Sequence, residues 1–135
     1  MKVNLARLLI GLVVFFNLQA GFAFIINPQT YAPAFELSAV PGESAVRGIG
    51  MLFVMWNIPY LVALWNPRKN RTALHEALAM QAIGLFGESL IYAGISPEHI
   101  QLRASLFRFI AFDSAGLLLL AFARIVTGSQ SETNR

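Results

Sequence analysis

The chain has 135 residues, 56% of them hydrophobic and 13% charged, with a mean hydropathy of +0.60, which is too apolar for a soluble domain of this length. It contains no cysteine, so a disulfide framework, thiol chemistry and thiolate metal ligation are excluded. The net charge of +3 comes from basic residues at the ends of apolar stretches and in one short loop. That placement argues against nucleic-acid binding and reports orientation in a bilayer instead.

A membrane-crossing helix needs roughly 20 mostly apolar residues, and four stretches qualify: residues 5–26, 45–65, 73–95 and 102–126. The expectation is an all-α membrane protein, a four-helix transmembrane bundle over residues 1–126 with a disordered polar tail at 127–135. Lys2 and Arg7, then Arg68, Lys69 and Arg71, then Arg124 and Arg135 all fall on one side of such a bundle. By the positive-inside rule both termini are cytoplasmic, in a multi-pass protein of the inner membrane.

The first span also reads as a secretory signal over residues 1–23, with a basic start, an apolar run from Leu8 to Phe16 and the small residues Gly21 and Ala23. Its apolar run continues through Ile26, long enough to cross, and the spanning reading is kept. Residues 27–44 follow as the longest connection, where Pro28, Pro33, Pro41 and Gly42 should break regular structure. Tyr31, Phe35 and Leu37 would anchor it at the interface, or a short helical turn over residues 33–37 would lie across the bundle mouth as a partial lid.

The second span holds Asn57-Ile-Pro59, and a proline inside a helix removes one backbone hydrogen bond, so a kink is expected near Asn57. Trp56, Tyr60 and Trp65 serve either an aromatic belt or bundle packing. Asn66-Pro67 opens a tight turn, with Thr72 as the N-cap of the third span. In that span Ala73, Ala77, Gln81, Gly84, Glu88 and Tyr92 recur at intervals of three and four, a stripe of small and polar residues that marks the packing face. Ser96-Pro97-Glu98 has the pattern of an N-cap, a first-position proline and a first-turn acid for the fourth span.

Arg103, Arg108 and Asp113 all lie in the fourth span. Ionisable residues at membrane depth are costly and by default mark a functional site facing the bundle interior. Counting outward from each turn at the common helical rise of roughly 1.5 Å per residue gives two polar layers. The outer one contains Arg47, Glu88 and Arg103, and the middle one Asn17, Asn57, Gln81 and Asp113. Glu88 leans deeper, towards the start of its helix, and needs Arg47, Arg103, a proton or water, with pairing to one of the two arginines at its level the expectation. Arg108 sits about 140° around the helix from Asp113 at 100° per residue, so it either faces the interior or snorkels to the headgroups. Asp113 has no arginine level with it and is the better candidate for handling a proton.

These eight residues are the candidate ligand-binding set. They constitute either a polar intramembrane network that fixes helix pairing or a cavity for a small molecule, a lipid or a proton. No catalytic residue, metal or cofactor is assigned, because no residue set supplies nucleophile, base and orienter together and His75 and His99 lie at opposite ends of the bundle.

The layout of four spans, with Asn27-Pro28 closing the first and Glu43-Ser-Ala-Val-Arg47-Gly-Ile-Gly50 opening the second, resembles the DoxX-like group of small bacterial membrane proteins. Within it, Pro28, Arg47, Gly48 and Gly50 match the family pattern. The resemblance implies a four-helix bundle and either accessory membership of a larger membrane complex or small-molecule handling. The sterol-handling four-helix membrane fold is a second, weaker resemblance. The sequence alone favours a non-enzymatic accessory subunit or membrane-interaction protein, partnered by the lipid bilayer and by a larger membrane complex or a homo-oligomer. A carrier or binder of a small molecule, lipid or proton that uses Asp113 and Glu88 is the alternative.

Overall fold

The computed structural model describes residues 2–128. Its helices are α1 (Lys2–Ile26), α2 (Pro28–Tyr31), α3 (Ala39–Trp65), α4 (Arg71–Gly94) and α5 (Ile100–Gly128), with a 3-10 turn at Ala32–Phe35 between α2 and α3. The four long helices are each long and apolar enough to cross a bilayer. Large apolar side chains cover their outer faces, among them Phe15, Trp65, Ile83 and Leu118, where only lipid is a suitable solvent. The protein is a small multi-pass membrane protein, and its fold is the four-helix bundle expected.

The long helices form a ring in which α1 and α4 each lie between α3 and α5, and the two diagonal pairs keep their backbones apart. The closest crossing is between α1 and α3. There Gly21 and Gly50 face each other, and a Cβ on Gly50 would stand 2.6 Å from the Gly21 carbonyl oxygen. Absence of both side chains is what lets these backbones meet.

At the end where α1 begins and α5 finishes, Ala6, Ile10, Ala63, Leu74, Ala77 and Ala123 are almost fully buried, and small residues from all four helices draw the ring tight. Arg7 donates to the carbonyl of Trp65, the last residue of α3, satisfying a helix end that has no partner of its own. Towards the opposite end the packing changes to rings. Phe24, Phe35, Phe53 and Phe109 meet at centroid distances of 5.8 to 6.4 Å, with Tyr31 4.9 Å from Phe24. Helix α4 contributes nothing to this cluster.

Three local expectations are corrected. Pro41 and Gly42 do not break structure: α3 begins at Ala39, and they occupy its first turn, where a missing N–H costs nothing because that N–H has no helical acceptor. Thr72 is not the cap of α4, which begins at Arg71. Instead Asn66 Oδ1 accepts from the Lys69 N–H and Asn70 Nδ2 donates to the Val62 carbonyl, so two asparagines hold the turn. Residues 96–99 form a turn rather than the first turn of α5, which starts at Ile100. Its amide at Leu102 is met at 3.3 Å by Glu36 Oε1, a cap delivered from 66 residues away. At the far end α5 continues to Gly128, so Thr127 and Gly128 are helical, and Thr127 is buried and donates to the Ala123 carbonyl. Residues 129–135 lie outside the described residues.

Segment 27–38 is largely helical and crosses α1, α3 and α5 but not α4. It forms a strap over the bundle mouth, and three contacts dock it on α5 and the turn before it. Ser105 Oγ donates to the Ala34 carbonyl at 2.6 Å, Phe35 stacks on Phe109, and Glu36 meets His99 Nδ1 at 2.5 Å. Glu36 takes a left-handed backbone with φ of 56°, which turns the chain so that its carboxylate faces α5. Through their hydrogen bond His99 holds the Glu36 carboxyl below its ordinary value, and Glu36 raises the His99 imidazole above its own.

Candidate functional site

The stripe on α4 is the packing face, but the helix closes only half of it. Ala73, Leu74, Ala77 and Gln81 are buried, whereas from Gly84 onward no residue of α4 is fully buried. With the strap resting on the other three long helices, the outer half of α4 stands off, and a cavity of about 690 Å³ remains between the helices. Tyr31 of the strap, Phe53 of α3 and Phe109 of α5 line it as an aromatic roof and wall. Phe16, Trp56, Ile83 and Ile91 line it too while remaining exposed, so the cavity reaches the bundle surface.

Its polar side is built by three helices. Tyr60 on α3 donates its hydroxyl to Gln81 Oε1 at 2.7 Å, and Gln81 on α4 donates Nε2 to Asp113 Oδ1 on α5, also at 2.7 Å. Donors therefore run in one direction and end at Asp113. Two glycines leave the space this needs: a Cβ on Gly116 would meet Gln81 Nε2 at 2.6 Å, and one on Gly84 would run into Asp113 Oδ2. Asn57, three residues before Tyr60 and on the same face, is 1% exposed and donates Nδ2 to the Phe53 carbonyl at 2.7 Å. A carbonyl only accepts, which fixes the amide orientation and turns Asn57 Oδ1 away from it. That oxygen is buried without a partner among the described residues, and so is Glu88 Oε2.

Of the eight residues singled out in the sequence, six line this cavity: Asn17, Asn57, Gln81, Glu88, Arg108 and Asp113. Arg47 and Arg103 do not. Arg47 is exposed and lies 4.0 Å from Glu43, one turn earlier on its own helix. Arg103 donates to the carbonyls of Tyr92 and Ile95 and sits 4.1 Å over the Tyr92 ring, so it caps the end of α4. The expected pairing of Glu88 with either arginine is thus absent, and each arginine has another partner. Arg108 borders the cavity, and its exposed side chain reaches back to Ser105 Oγ at 3.0 Å, towards the strap.

Tyr60 is the residue that sequence reading did not place. The signal was there, since a tyrosine three positions after a buried asparagine shares its face, but belt and interior roles for a tyrosine look alike until the partner helix is positioned. The histidines stay apart from the cavity: His75 accepts from Arg124 Nε at 2.7 Å, and His99 belongs to the strap contact. Among the described residues no group of three or more His, Asp or Glu side chains is placed to hold a metal ion.

The arrangement offers a mostly apolar, aromatic-lined space whose polar wall presents hydrogen-bond acceptors. Its volume falls in the range of roughly 300–1,000 Å³ typical of small-molecule sites. Comparisons of the chain with protein-family models, with curated proteins and with solved structures returned no match.

Proposed function

We propose that this membrane protein binds a small amphipathic molecule or a lipid in the cavity between its helices, acting as a carrier or binder. The observation that carries this reading is Asn57, almost wholly buried in the cavity lining, whose acceptor oxygen has no partner among the described residues. Leaving such a group unsatisfied costs roughly 1–3 kcal/mol, a cost that a bound ligand would remove. The accessory-subunit reading rests on a sealed and fully paired interior, and an open cavity with two orphan acceptors weighs against it. The resemblance to DoxX-like proteins is compatible with small-molecule handling. In this reading Tyr60, Gln81 and Asp113 form a polar intramembrane network that sets the spacing of α3, α4 and α5 beneath the ligand. Both termini face the cytoplasm, the protein resides in the inner membrane, and the strap lies on the far side.

Gly87 provides the test, since it lines the cavity and a Cβ there meets nothing within 4 Å. Protein purified in a gentle detergent should retain a stoichiometric lipid or metabolite by native mass spectrometry. The Gly87→Leu variant should fold normally and lose it. Reproducible co-purification with a larger membrane enzyme, together with an empty cavity in both proteins, would restore the accessory reading.

A further inference from the structure

The chemistry of the cavity wall constrains the ligand's head group. Among the described residues, the two buried side-chain polar atoms without a partner, Asn57 Oδ1 and Glu88 Oε2, are both oxygens that accept from a donor when Glu88 is ionised. The Tyr60–Gln81–Asp113 chain points the same way, because its donors are consumed internally and it ends on a carboxylate. Two carboxyl groups, Glu88 and Asp113, border the cavity, and neither forms an ion pair among the described residues. The guanidinium that also borders it, Arg108, is turned towards Ser105 and the exposed rim.

The amides of Asn17 and Gln19 also line the cavity, but the two buried oxygens take no bond from them; what those oxygens lack is a donor, and a cationic one balances the charge of the two carboxyl groups. The remaining surface suits the same occupant. Phe53, Trp56 and Phe109 present rings to the cavity, which attract a cation through their faces and an apolar chain through their area. We propose that the cavity takes an amphipathic amine, its protonated amino head held by Asn57, Glu88 and Asp113 and its apolar body laid against the aromatic wall. This proposal rests on the binding reading above and specifies the ligand class for the same site.

Dodecylamine and dodecanol share a chain and differ only in the head, so they separate the two questions. Each is added to the purified full-length protein in detergent at neutral pH and scored by native mass spectrometry, with Gly87→Leu supplying the background from micelle partitioning. Dodecylamine should be retained at one per protein and bind at least about tenfold tighter than dodecanol, the factor expected when a charge-assisted hydrogen bond replaces a neutral one. Glu88→Gln and Asn57→Leu should each erase that preference. Thermal unfolding of the unliganded variants is measured alongside. Should Asn57→Leu fail to fold, Glu88→Gln carries the test, because Glu88 Oε2 has no protein partner to lose. Equal binding of the two probes, or a preference for dodecylamine that survives Glu88→Gln, overturns the amine assignment and leaves the binding reading standing. Background-level binding of both probes, with no endogenous ligand retained, overturns both.

Discussion

Gly48 and Gly50 lie two residues apart on α3, and the structure gives them opposite roles. A Cβ at Gly48 meets nothing within 4 Å, whereas one at Gly50 would stand 2.6 Å from Gly21 O, 2.9 Å from Ile25 Cγ1 and 3.0 Å from Phe24 Cβ. Carbon–oxygen contacts are normally no closer than about 3.3 Å, so Gly50→Ala must part α1 from α3 by roughly 0.7 Å at their crossing. The obstructing atom is backbone, which cannot swing aside as a side chain would. A gap of about 0.5–1 Å forfeits a quarter to a half of each dispersion contact it opens, and the contacts at stake join Phe24 to Val46 and Phe53. Overpacking of this kind costs about 1–3 kcal/mol. Alanine also has a helix propensity better than that of glycine by up to about 1 kcal/mol, a gain common to both variants. The difference between Gly50→Ala and Gly48→Ala therefore isolates the steric cost. Reversible unfolding in mixed detergent micelles should place Gly50→Ala about 1–3 kcal/mol below Gly48→Ala, with Gly48→Ala at or above the wild type. Equal stability of the two variants would refute the close approach of α1 and α3.

Gly116→Ala should push the Gln81 carboxamide out of its side-chain hydrogen bonds to Tyr60 and Asp113, lowering stability by about 1–2 kcal/mol at the roughly 0.6 kcal/mol, and up to about 1.7, that each such bond contributes in a membrane; unchanged unfolding would show that Gln81 does not bridge Tyr60 and Asp113. Because His99 is raised in the folded protein, its contact with Glu36 stabilises the strap fully below the ordinary imidazole range and is lost as pH rises through the raised value. Glu36 is lowered, so its contribution is present above the ordinary carboxyl range and lost as pH falls through the depressed value, which makes the contact strongest under mildly acidic conditions. An NMR titration should find His99 above a free imidazole and returned to it by Glu36→Gln; a normal His99 in the wild type would remove the contact from the account. The chain has no native cysteine, so orientation can be read cleanly. Ser38→Cys should react with an impermeant thiol reagent from outside intact cells and Lys69→Cys should not, and the reverse pattern would invert the proposed topology.

Composition and periodicity alone determined that this is a four-helix membrane protein, where its helices run to within about three residues apart from the start of α3, which lies six residues earlier than expected, and which face of α4 packs. These properties depend on one helix at a time, on its length, its apolar surface and its spacing of small residues. Counting from the turns sorted the polar residues into two layers, and the four of the middle layer border one cavity, joined there by Glu88 and Arg108. The pairings were decided by tertiary structure. Every Cα–Cβ bond tilts towards the start of its own helix, and α4 and α5 run in opposite directions. Glu88 and Arg103 stand level by count, yet their side chains lean apart, and Arg103 reaches the last carbonyls of α4 instead. By the same tilt Gln81 and Asp113, placed in one layer by the count, lean towards each other and meet at 2.7 Å. The strap lay further still from local reading, because the cap on α5 and the roof of the cavity come from residues more than sixty positions earlier in the chain. Neither has a local signal, since a glutamate after a proline-rich turn has no preferred partner until the helices it crosses are assembled.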